Sequence, residues 1–266
     1  MGHNEKLQLR GDYYNQCHEL FRAQTNQQTL MLDAMLEIAG TGREIKILSV
    51  GSGLGLFERP LVLELSGRGL ISQFTGVDIN QEANQLLRKF LEENVQDRLH
   101  FEVRDESFEN YSTGDQYDLI LFNHVFEYLS AGQERWLNKA LGMLKPGGQI
   151  ALYSPLRDEI NFYYAKFQEE IFKRSPYFSA DIEGLLNSLA KIKFEQQTIM
   201  GKCDLSLIAR SEMDPEAMKL LSFLCQIDAR EMNSEQLYEI RDYFLGVEAD
   251  NWIAHPTDLY LIQQSA

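Results

Sequence analysis

A chain of 266 residues with a 44% apolar share can hold one large globular domain, or one domain with a cap. Its net charge of −15, from 40 acidic and 25 basic residues, argues against a nucleic-acid substrate, because a phosphate backbone is held by Lys and Arg. No apolar run approaches the ~20 residues of a spanning helix, and the distant cysteines Cys17, Cys203 and Cys225 offer neither a disulfide framework nor a zinc site. A reducing cytoplasm is the expected setting, since Met1-Gly2-His3-Asn4-Glu5 also lacks a signal-peptide core. The acidic balance serves solubility, and it would also suit a small cationic substrate.

Residues 12–40 read as two helices. Tyr13, Cys17, Leu20 and Phe21 form one apolar face, and Thr25 or Asn26 can cap a second helix running through Met31, Leu32, Met35 and Leu36 to Gly40. Helices ahead of the first strand either pack on the back of a sheet or fold over its site as a lid. The aromatics and amides gathered here, with Tyr13 and Asn26 among them, favour a lid.

The stretch Ile45–Glu58 follows, reading IKILSVGSGLGLFE. An apolar, β-branched run closed by Gly51, Gly53 and Gly55 is the pattern of a buried parallel strand entering a tight turn into a helix. Glycines permit backbone angles that a Cβ forbids and let a ligand lie against the main chain. The dinucleotide version of this turn needs a further glycine at position 56, which is Leu56, so pyrophosphate is disfavoured while a nucleoside without phosphates fits. A plain strand–helix turn is the competing reading. A second strand over 70–78 ends in Asp78, just over twenty residues past the glycines and placed to accept both hydroxyls of a ribose.

The alternation continues. Ala83, Leu86, Leu87, Phe90 and Leu91 give a helical stripe; strands are expected at Leu99–Val103, Tyr117–Asn123 and Gln149–Ser154. Between the last two, Trp136, Leu137, Ala140, Leu141 and Leu144 form a helix stopped by Lys145-Pro146-Gly147-Gly148. Repeated βα units imply a parallel sheet with helices on both faces, whose ligands bind at the carboxyl ends of the strands. Gly51, Asp78, Asp105 and Asn123 all lie there. Beyond residue 155 come an aromatic-rich helix over 157–173, a helix behind Ser179, a strand at Phe194–Met200, helices at Asp214–Ile227 and Ser234–Leu245, and a last strand at Thr257–Ile262.

Together, Gly51-x-Gly53-x-Gly55, Asp78, Asp105-Glu106-Ser107, Asp118–His124 and Leu144-Lys145-Pro146-Gly147-Gly148 resemble, in order and spacing over about residues 44–155, the class I S-adenosylmethionine-dependent methyltransferases. The resemblance implies an α/β, Rossmann-like, seven-stranded, mostly parallel sheet, with a helical N-terminal lid over 1–43, a cofactor-binding core over 44–155, and capping helices plus the last two strands over 156–266. It also implies S-adenosylmethionine as cofactor: Gly51, Ser52, Gly53 and Gly55 against the methionine part and ribose, Asp78 and Ile79 at the ribose, Asp105, Glu106 and Ser107 at the adenine, and Asn123 at the amino-acid portion.

A looser resemblance runs through most of the chain to the small-amine N-methyltransferases typified by histamine N-methyltransferase. It places substrate contacts at Tyr13, Asn26, Tyr128 and His255, and Phe162 of the aromatic-rich segment is a further expected contact. The polar residues that orient an imidazole amine in that family are not kept at Asn26, His124 and Pro256, so histamine itself is not the expected substrate. If a helix starts at His124, Glu127 and Tyr128 share its face, and imidazole, carboxylate and phenol can hold a cation and take its proton. The expected reaction is methyl transfer to a nitrogen of a small cationic metabolite, by a monomer or homodimer, without metal. Two alternatives stay open: an O- or C-methyltransferase using Arg157 as an anion clamp, and a non-catalytic cofactor-binding module with a dimer face on the helices at 203–254.

Overall fold

A computed structural model describes residues 6–39, 42–95, 98–128, 131–210 and 213–265. The expected helix stop, Gly40, lies outside the described residues. In chain order the elements are α1 (Gly11–Gln24), α2 (Gln27–Ala39), β1 (Ile45–Val50), α3 (Glu58–Gly67), β2 (Ile71–Asp78), α4 (Gln81–Asn94), β3 (His100–Asp105) and β4 (Tyr117–Asn123). There follow α5 (Gln133–Gly142), β5 (Leu144–Pro155), α6 (Phe162–Glu170), α7 (Ser179–Ser188), β6 (Ile192–Asp204), α8 (Pro215–Cys225), α9 (Ser234–Val247) and β7 (Trp252–Gln264).

The strands form one seven-stranded sheet in the order β3-β2-β1-β4-β5-β7-β6. The pairs β2–β3, β1–β2, β1–β4 and β4–β5 are all parallel. At the other edge, Ser265 N donates to Lys191 O, while Gly201 lies against His255 O. Numbering thus rises on β6 as it falls on β7, and the two run antiparallel. The order reverses between β1 and β4, which is where a doubly wound sheet opens a crevice at its carboxyl edge.

Alternation along the strands shows why the sheet is covered on both faces. Leu48, Val50, Ile120, Phe122, Ile150 and Leu152 point into one core with Trp136, Leu137 and Leu141 of α5 and Ile182 and Leu186 of α7. The intervening Ile47, Ser49, Leu119, Leu121, Ala151 and Tyr153 are buried too. On that second face Ser49 meets Glu58 of α3 and Tyr153 meets Phe57. Burying each such aliphatic side chain stabilises by about 1.5–3 kcal/mol, which makes the strand ends a rigid platform.

The chain divides into two compact units. One comprises residues 31–154, 177–198 and 258–266; the other comprises 1–30, 155–176 and 199–257. The second has its own apolar core, built from Phe21 of α1, Tyr163 and Phe167 of α6, Cys203 and Leu205, Leu220, Leu221 and Leu224 of α8, and Phe244 of α9. The helices at 203–254 contribute Leu220, Leu221, Leu224 and Phe244 to this core, while Tyr238 of α9 stays 47% exposed.

Several local expectations are corrected. Lys145-Pro146-Gly147-Gly148 does not stop a helix but opens β5, where the register with β4 shifts between Tyr117 and Leu119. Gly147 has φ +78°, and a Cβ on Gly148 would lie 2.8 Å from Tyr117 O, so the glycines make an irregular strand start. The strands β6 and β7 run well past the expected ends, and α6 is shorter than 157–173. No helix starts at His124: that residue has φ +52°, and only a 3₁₀ turn follows at Phe126–Tyr128.

Candidate active site at the carboxyl ends of β1 to β4

The glycine turn after β1 uses its glycines for conformation and for closeness. Gly51, Gly53 and Gly55 have φ of +71°, +50° and +68°, all in the left-handed region. Gly51 N donates to Val77 O at 2.8 Å, tying the turn to β2. A Cβ on Gly51 would lie 2.6 Å from Val125 Cγ2, and one on Gly55 would lie 2.4 Å from Leu87 Cδ1. The turn is thus closed on its protein side by Val125 and Leu87.

Asp78 ends β2 directly beside that turn. Its Oδ2 accepts from Gly53 N at 2.9 Å and its Oδ1 accepts from Asn80 N at 2.7 Å. Each carboxylate oxygen has a second lone pair, so a pair of hydroxyls can still be received. Ile79 follows with 75% of its surface exposed, an apolar side chain held in solvent at the strand end.

Asp105 ends β3 in register with Asp78. It pairs with Arg88 of α4 at 2.6 Å, and Asn84 Nδ2 donates to its Oδ1 at 2.8 Å. Those bonds, that from Arg88 first, hold the Asp105 carboxyl below the usual carboxylate range. Asn84 also donates to Asp78 O and Arg104 O, so one buried amide side chain joins both strand ends. Sequence pattern missed Asn84 and Arg88, which read as the polar side of a helical stripe. The turn after β3 is closed by Asn110 N and Tyr111 N donating to Ser107 O, each at 3.0 Å.

At the end of β4, His124 occupies the left-handed region with Tyr153 O accepting from its backbone N at 3.3 Å. A non-glycine residue there costs about 1–2 kcal/mol, a strain typical of functional loops. His124 Nδ1 lies 3.3 Å from Glu127 Oε1, and the Glu127 side chain is only 5% exposed. Tyr128, expected on the same face, is 55% exposed at the end of the 3₁₀ turn.

Buried oxygens in this neighbourhood without a hydrogen-bond partner among the described residues include Ser52 Oγ, Asn84 Oδ1, Asn123 Oδ1 and Glu127 Oε2. An unmatched buried polar atom costs about 1–3 kcal/mol, so several of them around one strand edge mark a place where a polar ligand can complete the bonding. The donor set fits an adenosyl amino acid. Asp78 can take the ribose, Ile79 can lie against an apolar base, Asp105 can accept from an exocyclic amine, and Ser52 and Asn123 can meet the polar amino-acid end.

The remaining expected contacts lie in the second unit. Asn26 Oδ1 accepts from Lys202 N at 2.7 Å, and Thr25 Oγ1 lies 2.9 Å from His255 Nδ1 while donating to Lys202 O. Asn26 and His255 are thereby brought into one network, but it ties the link between α1 and α2 to β6 and β7. Tyr13 carries the Arg230 guanidinium 3.5 Å above its ring and has its hydroxyl 3.5 Å from Ser222. Phe162 is half-exposed and stacks on Tyr243 at 4.8 Å. Arg157, the alternative anion clamp, is paired with Glu169 at 2.8 Å. Among the described residues no His, Cys, Asp and Glu group could hold a metal ion, and no helix is long and apolar enough to cross a membrane.

Comparison with known proteins agrees with this geometry. Residues 48–150 match the family model described as a methyltransferase domain. No curated protein matches. The plantazolicin methyltransferase BpumL, solved in complex with SAH, superposes with a TM-score of 0.56 at 16% identity, covering 95% of this chain and 90% of that one. The N-methyltransferase NodS from Bradyrhizobium japonicum WM9 gives a TM-score of 0.52 at 13% identity, covering 90% and 97% respectively. The glycine turn, both acidic strand ends and the β4 terminus all fall in the segment that matches the methyltransferase-domain model, and the chain has the class I methyltransferase fold.

Proposed function

We propose that this protein transfers a methyl group from S-adenosylmethionine to a nitrogen of a small cationic metabolite of amine, imidazole or guanidine type. The observation that carries this reading is the His124–Glu127 pair beside the cofactor turn. Glu127 is a buried carboxylate whose Oε2 has no partner among the described residues, and Val125, two residues earlier, packs on Gly51. A buried carboxylate is costly unless a cation meets it, so the acceptor's charge supplies what the fold leaves out.

When bound, the cofactor supplies an electrophilic methyl carbon on a sulfonium. Reaction needs the acceptor nitrogen to approach that carbon from the side opposite sulfur, at roughly 3–3.5 Å, with its lone pair free. Glu127 draws in the cationic acceptor. With Nδ1 of neutral His124 donating to Glu127, the lone pair sits on Nε2, which takes the proton the nitrogen gives up. Ser52 and Asn123 orient the amino-acid end, and Asp78 fixes the ribose. Tyr13, Asn26, Tyr128, Phe162 and His255 are proposed acceptor contacts; an acceptor KM unmoved by Phe162→Ala would remove Phe162 from that set.

The same reading makes the protein a cytoplasmic monomer or homodimer acting on free metabolites and not on nucleic acid, in keeping with its net charge of −15. Incubation with methyl-labelled cofactor and a panel of amines, imidazoles, guanidines, carboxylates and phenols tests it. Label is expected in the nitrogen compounds; transfer confined to carboxylates or hydroxyls would overturn the nitrogen assignment.

A further inference from the structure

Lys139, on α5, does something unusual for a lysine on an amphipathic helix. Its Nζ donates to three main-chain carbonyls of one short loop: Phe108 O at 2.5 Å, Glu109 O at 2.9 Å and Tyr111 O at 2.6 Å. An ammonium has three donors, and all three are used. The Phe108 ring lies 4.9 Å from the same nitrogen. Burial lowers the Lys139 pKa, while Glu106 and Glu109 oppose that shift.

Two neighbours on α5 reach the same loop. Arg135 Nη2 and Trp136 Nε1 both donate to Glu109 Oε1, at 2.9 and 3.2 Å. From within, Asn110 N and Tyr111 N donate to Ser107 O. Phe108 is buried edge-on against Phe122 and Trp136. The residues fixed in this way directly follow Asp105-Glu106-Ser107, the expected adenine contacts. A turn left to itself would be free to change the direction in which those three residues face.

We propose that Lys139 is a positioning residue for the adenine end of the cofactor. It is a half-buried cation set among three carbonyls, and it gives the 105–111 turn one conformation. The inference rests on the cofactor assignment and not on the identity of the methyl acceptor. Its signature should be a loss of binding strength and of base discrimination together. Charge-assisted hydrogen bonds of this kind predict about a tenfold or greater loss of S-adenosylhomocysteine affinity when the ammonium is removed.

The test is calorimetric titration of S-adenosylhomocysteine, and of its analogue with oxygen replacing the exocyclic amine, into the whole chain and into Lys139→Ala and Lys139→Met. Wild-type protein that binds neither would refute the cofactor assignment itself. With wild-type binding established, the expected results are weaker S-adenosylhomocysteine binding by both variants and a smaller preference over the 6-oxo analogue. Added n-propylammonium should restore both in Lys139→Ala, because it replaces the missing stem and charge. Variants that match the wild type, or weakened variants that keep the preference and ignore propylammonium, would overturn the proposal.

Discussion

Gly51 links the glycine turn to the proposed acceptor segment, and replacing it by alanine is a sharp structural perturbation. Two costs are expected. A side chain at φ +71° costs about 1–2 kcal/mol in the left-handed region. The new Cβ would also sit 2.6 Å from Val125 Cγ2 and 3.2 Å from Val125 Cβ, where relaxed carbon contacts lie at about 3.5–4.0 Å. Val125 is β-branched, so rotating χ1 exchanges one methyl for the other and the backbone must retreat. Overpacking of this kind costs about 1–3 kcal/mol. The sum, ~2–5 kcal/mol, corresponds to a melting temperature lowered by roughly 4–10 °C for a chain of this size. Thermal unfolding of Gly51→Ala in the wild-type and Val125→Ala backgrounds separates the two costs. With the valine methyls gone the 2.6 Å clash disappears, and the penalty should shrink towards the conformational part of about 1–2 kcal/mol, with only the 3.2 Å approach to the Cβ that Val125→Ala retains added to it. An equal penalty in both backgrounds would refute the contact between turn and acceptor segment.

Other expectations follow from the same geometry. Asp78→Asn keeps the shape but loses the charge that receives Gly53 N and Asn80 N, so S-adenosylhomocysteine should bind about 10–100-fold more weakly by calorimetry. Glu127→Gln and His124→Asn, the latter chosen because Asn tolerates the left-handed region, should lower kcat by about 10²–10⁴-fold while leaving S-adenosylhomocysteine affinity within a fewfold. Asp158 supplies a pH test: burial, the leading cause, pushes its carboxyl up from 3.8 to about 6. An acid whose folded pKa is raised loses stability as pH rises from its unfolded value through about 6, and the loss then stays constant. Asp158→Asn should therefore be more stable than wild type at pH 7, by about 1–2 kcal/mol after allowance for partial exposure, and equal to it near pH 3.5, as read from denaturant midpoints.

Much of the platform was legible because the local signals and the fold agree. The β-branched run before Gly51, the stripe around Leu87 and Leu91, and Asp78 and Asp105 at strand ends all describe elements that appear where expected. What escaped is long-range or runs against local rules. Lys145-Pro146-Gly147-Gly148 reads as a helix stop, yet pairing with Tyr117 carries it into β5. Pro256 lies inside β7, which extends back to Trp252. His124 carries no glycine to announce its left-handed turn, so a helix was expected where a 3₁₀ turn forms. Asn84, Arg88 and Lys139 act on strand ends and loops from neighbouring helices, across sequence separations that periodicity does not see. The division into two units is equally silent, because four of the five crossings between them fall within helices and strands, and the fifth, after Pro176, lies in a short loop.

One titration tests the platform most directly. S-adenosylhomocysteine added to the intact protein in a calorimeter should bind at one site per chain, and Asp78→Asn should weaken that site without lowering the melting temperature by more than a few degrees. Absence of heat with folded wild-type protein, or binding that ignores the loss of the Asp78 charge, would contradict a nucleoside crevice along these strand ends.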